Sequence, residues 1–168
     1  MLRIWNGIET ALVAAIAGVA LLLGTYQIIS RYLTPGLSIP GTEELTVYLV
    51  VWAMFLSCSQ LVARDGHVRP DLLLRVLPPR TRRIVEMVNC VIAIAFSAGL
   101  AWYGARVVWE AFEFDDRSTG ILSFPMWVYD LALPVAGVLM VLRYAIRFFQ
   151  FGWRFDPVRM TLSPIGHE

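Results

Sequence analysis

Four stretches of this chain carry apolar side chains at nearly every position. Each is about as long as the roughly 20 helical residues that cross a hydrocarbon core some 30 Å thick. Thr10 to Ser30, Leu45 to Ala63 and Met87 to Ala105 contain no charged residue, and Ile121 to Leu142 contains a single one, Asp130. Barrel strands would alternate apolar and polar positions over about ten residues, and no such alternation is present. The pattern predicts an all-α membrane protein with four transmembrane helices. Arg3 ahead of the first apolar run resembles the start of a signal peptide. The run is too long for an h-region of 7–15 residues, however, and Gly24-Thr25-Tyr26 is a poor cleavage site. We read it as a helix that stays in the membrane.

Polar positions between these stretches set the topology. The link from Arg31 to Glu44 holds one arginine, and the link from Glu110 to Phe124 holds only Arg117. The middle link, Arg64 to Arg83, holds six arginines, and the last helix end and tail hold four. Arginine-rich connections stay in the cytoplasm. Both termini and the middle loop are therefore expected inside, with the first and third loops outside. Pro35, Gly36, Pro40 and Gly41 break the first outer loop. Thr42 then reads as an N-cap, with Glu43 and Glu44 in a first turn whose dipole favours carboxylates. Trp102 and Trp109, like Trp5, Tyr26 and Trp127, fall near expected helix ends and read as an aromatic belt. The organisation is one four-helix transmembrane domain over residues 1–151 and a cytoplasmic tail over 152–168.

Composition agrees and narrows the chemistry. Among 168 residues 58% are hydrophobic and 16% charged, against about 45–50% and 25% in soluble domains. The basic residues are fourteen arginines and no lysine, and the net charge of +1 gives no overall attraction to nucleic acid. Cys58 and Cys90 form no metal-binding or disulfide pattern. Only His67 and His167 are present, neither in an apolar segment, which excludes a haem held by two membrane histidines. Phosphate-binding loops, H-E-x-x-H and G-x-S-x-G are absent. No cofactor, metal or catalytic residue is expected, and no enzyme.

Several polar residues still ask for a role. The middle loop reads Arg64-Asp65-Gly66-His67-Val68-Arg69-Pro70-Asp71-Leu72-Leu73-Leu74-Arg75-Val76-Leu77-Pro78-Pro79. Pro70 suits a first helical turn and the proline pair ends it. A short amphipathic helix lying in the cytoplasmic interface between helices 2 and 3 is expected there, with Arg69 and Arg75 against lipid phosphates. His67 can cap the preceding helix or titrate. On the second helix Glu44, Tyr48 and Trp52 recur every four residues, and Ser59 continues the stripe. Spacing leaves open whether that stripe packs within the chain or faces a partner. Small residues at Ala93, Ser97, Ala101 and Ala105, and at Gly7, Ala11 and Ala15, allow helices to approach closely. Asp130 lies about a turn inside its segment and Arg106 stands at similar depth, so a buried ion pair between them is the simplest expectation, ahead of a proton or ion relay. Glu9 and Glu86 are read as lying at cytoplasmic ends close to water. Glu110, Glu113, Asp115 and Asp116 make an acidic outer loop, solvated or facing a soluble partner.

In order along the chain come Arg31-Tyr32, Glu43-Glu44-Leu45, Trp52, Phe55-Leu56, Arg64-x-Gly66-His67-Val68, Asp71-Leu72, Leu77-Pro78 with a basic step, and Pro125-x-Trp127-x-Tyr129 with Pro134 and Gly137. This series resembles the small membrane subunit, of the DctQ type, of tripartite ATP-independent periplasmic (TRAP) transporters. Ser57 departs from the family, which often has glycine there, and Asp130 matches nothing in its pattern. The resemblance implies a supporting subunit in a bacterial inner membrane, for sodium-coupled uptake of an organic acid. A separate, large transmembrane permease subunit would carry substrate and sodium, and a periplasmic binding protein would deliver the substrate. The small subunit would brace the former and help dock the latter. Candidates for the subunit interface are then Glu43, Glu44, Tyr48, Trp52, Arg64, His67 and Asp71, with Arg69 and Arg75 on membrane phospholipids. Two other readings stand beside it: a haem-free anchor for a quinone-linked enzyme complex, and a self-sufficient homodimeric transporter using Asp130.

Overall fold

The computed structural model describes residues 2–33, 39–63 and 79–153. Apolar helices account for almost all of them: α1 (Leu2–Tyr32), α2 (Thr42–Ala63), α3 (Pro79–Glu113), α4 (Met126–Asp130) and α5 (Ala132–Trp153). Four spans are long and apolar enough to cross a membrane, Ile4–Tyr32, Thr42–Val62, Ile84–Glu113 and Met126–Gln150. The expected interfacial helix, with Arg64, His67, Arg69, Asp71 and Arg75, lies outside the described residues.

The helices overrun their uncharged cores. The third, expected to end near Ala105, runs on to Glu113 and is 35 residues long, about 52 Å of helix. Trp102 and Arg106 consequently stand well inside it, where the sequence alone placed them near its end. The fourth span is interrupted. Residues 121 and 122 form a turn, 123 and 124 are irregular, α4 makes little more than a turn, and the chain steps through Leu131 into α5. Pro134 explains the step: it has no N–H to give the carbonyl four residues back, and its ring crowds that carbonyl. The ladder resumes with Val135 N donating to Leu131 O at 3.2 Å. At the start of α2 the Thr42 hydroxyl donates to Ile39 O at 2.8 Å, so it ties down the incoming chain instead of capping the helix. Gly41 takes φ +88°, a left-handed turn suited to glycine.

The helices stand in the order α1–α2–α5–α3, with α1 and α3 at opposite ends of the row. The α3–α5 seam is the most extensive. There Cys90, Ser97, Gly104 and Ala111 are buried along one face of α3. A Cβ on Gly137 would lie 2.9 Å from Ala101 N and 3.0 Å from Ser97 O, so the two backbones approach as closely as glycine permits. A Cβ on Gly104 would lie 3.0 Å from Pro134 Cδ. Gly104, not Ala105, thus carries the small-residue row forward, and Ala105 is exposed. On α1, Gly7, Ala11 and Ala15 are uncovered by the described residues, whereas Gly24 meets the Thr46 methyl at 3.7 Å.

Candidate functional site

Inside hydrocarbon a polar side chain is stable only against another polar group, so its partner identifies what it does. Two polar joints stand out, one toward each end of the bundle along the helix axes. At the end that carries loop 114–125, which the arginine count makes the outer end, the α2 stripe turns toward α4. Trp52 Nε1 donates to Val128 O at 3.2 Å. Tyr48 donates its hydroxyl to Glu44 Oε1 at 3.1 Å, with Met126 Sδ 3.5 Å away. The Tyr48 ring packs on Tyr129 and Phe124, with centroids 5.0 and 5.3 Å apart. Of the two readings of the stripe, packing within the chain accounts for these contacts. Val128's carbonyl sits next to the break before Pro134, where helical partners are scarce, and an indole N–H on α2 supplies a donor.

Above this joint the outer loop folds into a compact turn. Arg117 and Pro125 form an isolated antiparallel bridge, and Met126 N donates to Asp116 O at 2.9 Å. Arg117 holds Asp115 through two hydrogen bonds, each 3.1 Å. Between loop and α2 opens a recess of about 480 Å³ lined by Glu44, Tyr48, Asp116, Arg117, Met126 and Asp130. Glu43 remains at the surface, 3.5 Å from Arg31. Asp130 therefore looks into an acidic recess. Arg106, on α3, is exposed, and among the described residues no ion pair joins the two. The expected Arg106–Asp130 pair does not form, because Arg106 occupies a face of α3 turned away from its α5 seam.

The other joint was not legible in advance. Arg143, in the last helix, is buried at 8% exposure and Glu9, in the first, at 7%. The guanidinium donates Nε to Ser59 Oγ at 2.8 Å and Nη1 to Asn6 Oδ1 at 2.9 Å, and Nη2 pairs with Glu9 Oε2. It also lies 5.5 Å from the centroid of Trp5. Three helices thus meet on one cation, each of its three nitrogens donating to an acceptor. The sequence reading put Glu9 and Glu86 in contact with water. Both are buried, Glu86 at 3% exposure. The available signals were Asn6 and Glu9 sharing one face of α1 at a spacing of three, and Ser59 at the end of the α2 stripe. Neither names Arg143, which reads equally well as a topology arginine. No cluster of three or more His, Cys, Asp or Glu able to hold a metal occurs among the described residues.

Four apolar spans, whose polar groups fasten helix to helix, define a packed helical membrane protein. The DctQ component of tripartite ATP-independent periplasmic transporters matches residues 20–151, and the chain belongs to that family. A C4-dicarboxylate TRAP transporter small permease protein of Vibrio cholerae is 27% identical, over 97% of this chain and 77% of the relative. One of the same description from Rhodobacter capsulatus is 28% identical, over 69% of this chain and 51% of the relative. A sialic acid TRAP transporter small permease protein of Vibrio cholerae is 28% identical, over 88% and 83%. The chain is accordingly an inner-membrane transporter component and not an enzyme, which sets aside the quinone-linked anchor.

Proposed function

We propose that this chain is the scaffold subunit of a tripartite transporter for an organic acid. It braces a large, separate transport subunit and helps a periplasmic binding protein to dock. The family match over residues 20–151 carries this reading. The use of polar groups supports it: Arg143, Glu9, Asn6, Ser59 and Trp52 tie helices together, as a rigid brace requires. Names borne by the relatives point to a C4-dicarboxylate or a sialic acid as substrate. Sodium coupling would reside in the large subunit. Glu43, at the outer surface beside the acidic loop, is suited to contact the binding protein. Arg64, His67 and Asp71 are proposed at the inner subunit interface, with Arg69 and Arg75 on phospholipid headgroups.

The test is a gentle-detergent pull-down through a C-terminal tag, followed by transport in proteoliposomes holding the co-purified complex. A many-helix membrane protein should come down with the chain. Uptake of a dicarboxylate or sialic acid should then require both membrane proteins, the binding protein and a sodium gradient. A redox subunit in the pull-down, or uptake by this chain alone, would overturn the reading.

A further inference from the structure

Helix α3 has two seams. One is covered by α5. The opposite one is formed by Val88, Ile92, Ala95, Gly99, Trp102, Arg106, Trp109 and Glu113, spaced alternately four and three residues apart, the 3.5-residue period along which two helices pack side by side. All are exposed except Gly99, which is intermediate, and nothing lies within 4 Å of where its Cβ would point. Trp102 and Trp109 are 69% and 67% exposed.

Depth makes this face unlike an ordinary lipid-facing one. Gly104 lies against Leu133 and Pro134, so Arg106 stands near the junction of α4 and α5. Trp52 bonds Val128 at that same junction, from a point some ten residues, about 15 Å of helix, inside the start of α2. Side chains on a helix lean toward its N-terminus. In α3 that direction leads away from the outer loop, so Arg106 leans from the nearer headgroups toward the membrane interior. A guanidinium there needs an acceptor that lipid tails lack. Among the described residues none is supplied, since no ion pair joins Arg106 to Asp130 or to Glu110 four residues on. Arginine followed by glutamate four residues later is also the weaker order for a pair within one helix. Trp102 lies too far from the helix end for an interfacial belt, whereas Trp and Arg together are the residues that dominate protein interfaces. Ala95 and Gly99 leave room for a close helix.

We infer that this face of α3 receives a membrane-spanning helix of the large transport subunit, which sets an acidic side chain against Arg106. The inference rests on the reading given under Proposed function and specifies where and how that subunit is held.

The test uses the full chain co-expressed with the large subunit. A photo-crosslinking phenylalanine analogue replaces Trp109 in one variant and Ile28, 62% exposed on α1, in another. Arg106→Ala and Arg106→Glu are compared with the unaltered chain for co-purification, their own folding being checked by helical circular dichroism and monodispersity. Crosslinking of the large subunit from position 109 and not from position 28 is expected, with co-purification reduced about tenfold or more in both Arg106 variants, as for loss of one partner of a desolvated charge pair. Replacing the acidic residue beside the crosslinked peptide by arginine should restore binding to Arg106→Glu. Crosslinking from position 109 to phospholipid alone, or undiminished co-purification of Arg106→Ala, would overturn the inference and leave the scaffold reading intact. If the unaltered chain itself brought down no large subunit, the scaffold reading would fail, and this inference with it.

Discussion

Arg143→Met removes a buried cation to which three acceptors on two other helices are bound. Glu9 then keeps a carboxylate at 7% exposure with no counter-ion, and Ser59 and Asn6 lose their donor. Breaking a buried pair by deleting one partner costs about 3–5 kcal/mol, because the remaining charge is stranded. The hydrogen bonds to Ser59 and Asn6 add little, since such bonds between membrane helices average about 0.6 kcal/mol. We therefore expect a loss of about 3–4 kcal/mol, a factor of several hundred in the unfolding equilibrium at about 1.4 kcal/mol per tenfold. Glu9→Gln in the same chain removes the stranded charge, and the double variant should recover to within about 1–2 kcal/mol of the original, as exchange of a whole buried ion pair does. Titration of the purified protein in mixed micelles with a denaturing detergent gives all four corners of the cycle. Trp5, stacked near the guanidinium, provides a local fluorescence signal beside the global helical one. If Arg143→Met unfolded within about 1 kcal/mol of the original, the cation would not be a structural joint. If the double variant were as unstable as the single one, the loss would belong to packing by the arginine stem and not to its charge.

Three further outcomes follow from the same geometry. Gly137→Ala forces a methyl against Ala101 N and Ser97 O, backbone atoms that cannot step aside, and should destabilise by about 1–3 kcal/mol in the same titration. Ser97→Ala should be neutral or stabilising by up to about 1 kcal/mol, since the Ser97 hydroxyl is fully buried and makes no hydrogen bond. Trp52→Phe keeps most of the ring packing but strands Val128 O, and should cost about 1 kcal/mol while leaving co-purification with the large subunit unchanged if the indole works within the chain.

The number of membrane helices, their sequence limits to within a few turns and the family were decided by the sequence itself. Length and apolarity suffice to demand a span, because an unpaired backbone in lipid leaves helix as the economical solution for a single segment. Helical periodicity also marked the stripe Glu44–Tyr48–Trp52–Ser59 as one face. Which neighbour that face meets was beyond it: Trp52 and Val128 are 76 residues apart, and Glu9 and Arg143 are 134 apart. A period fixes a direction around one helix axis, whereas partners depend on how the axes are ordered in the membrane. The same charge pattern was compatible with Arg106 facing Asp130 and with Arg143 serving only to set topology. Only the packed order α1–α2–α5–α3 reversed both assignments. It turned Arg143 into the joint at the end away from loop 114–125 and left Arg106 on a seam that the described residues do not cover, because the glycine and serine contacts of α3 with α5 fix the rotation of that helix about its axis.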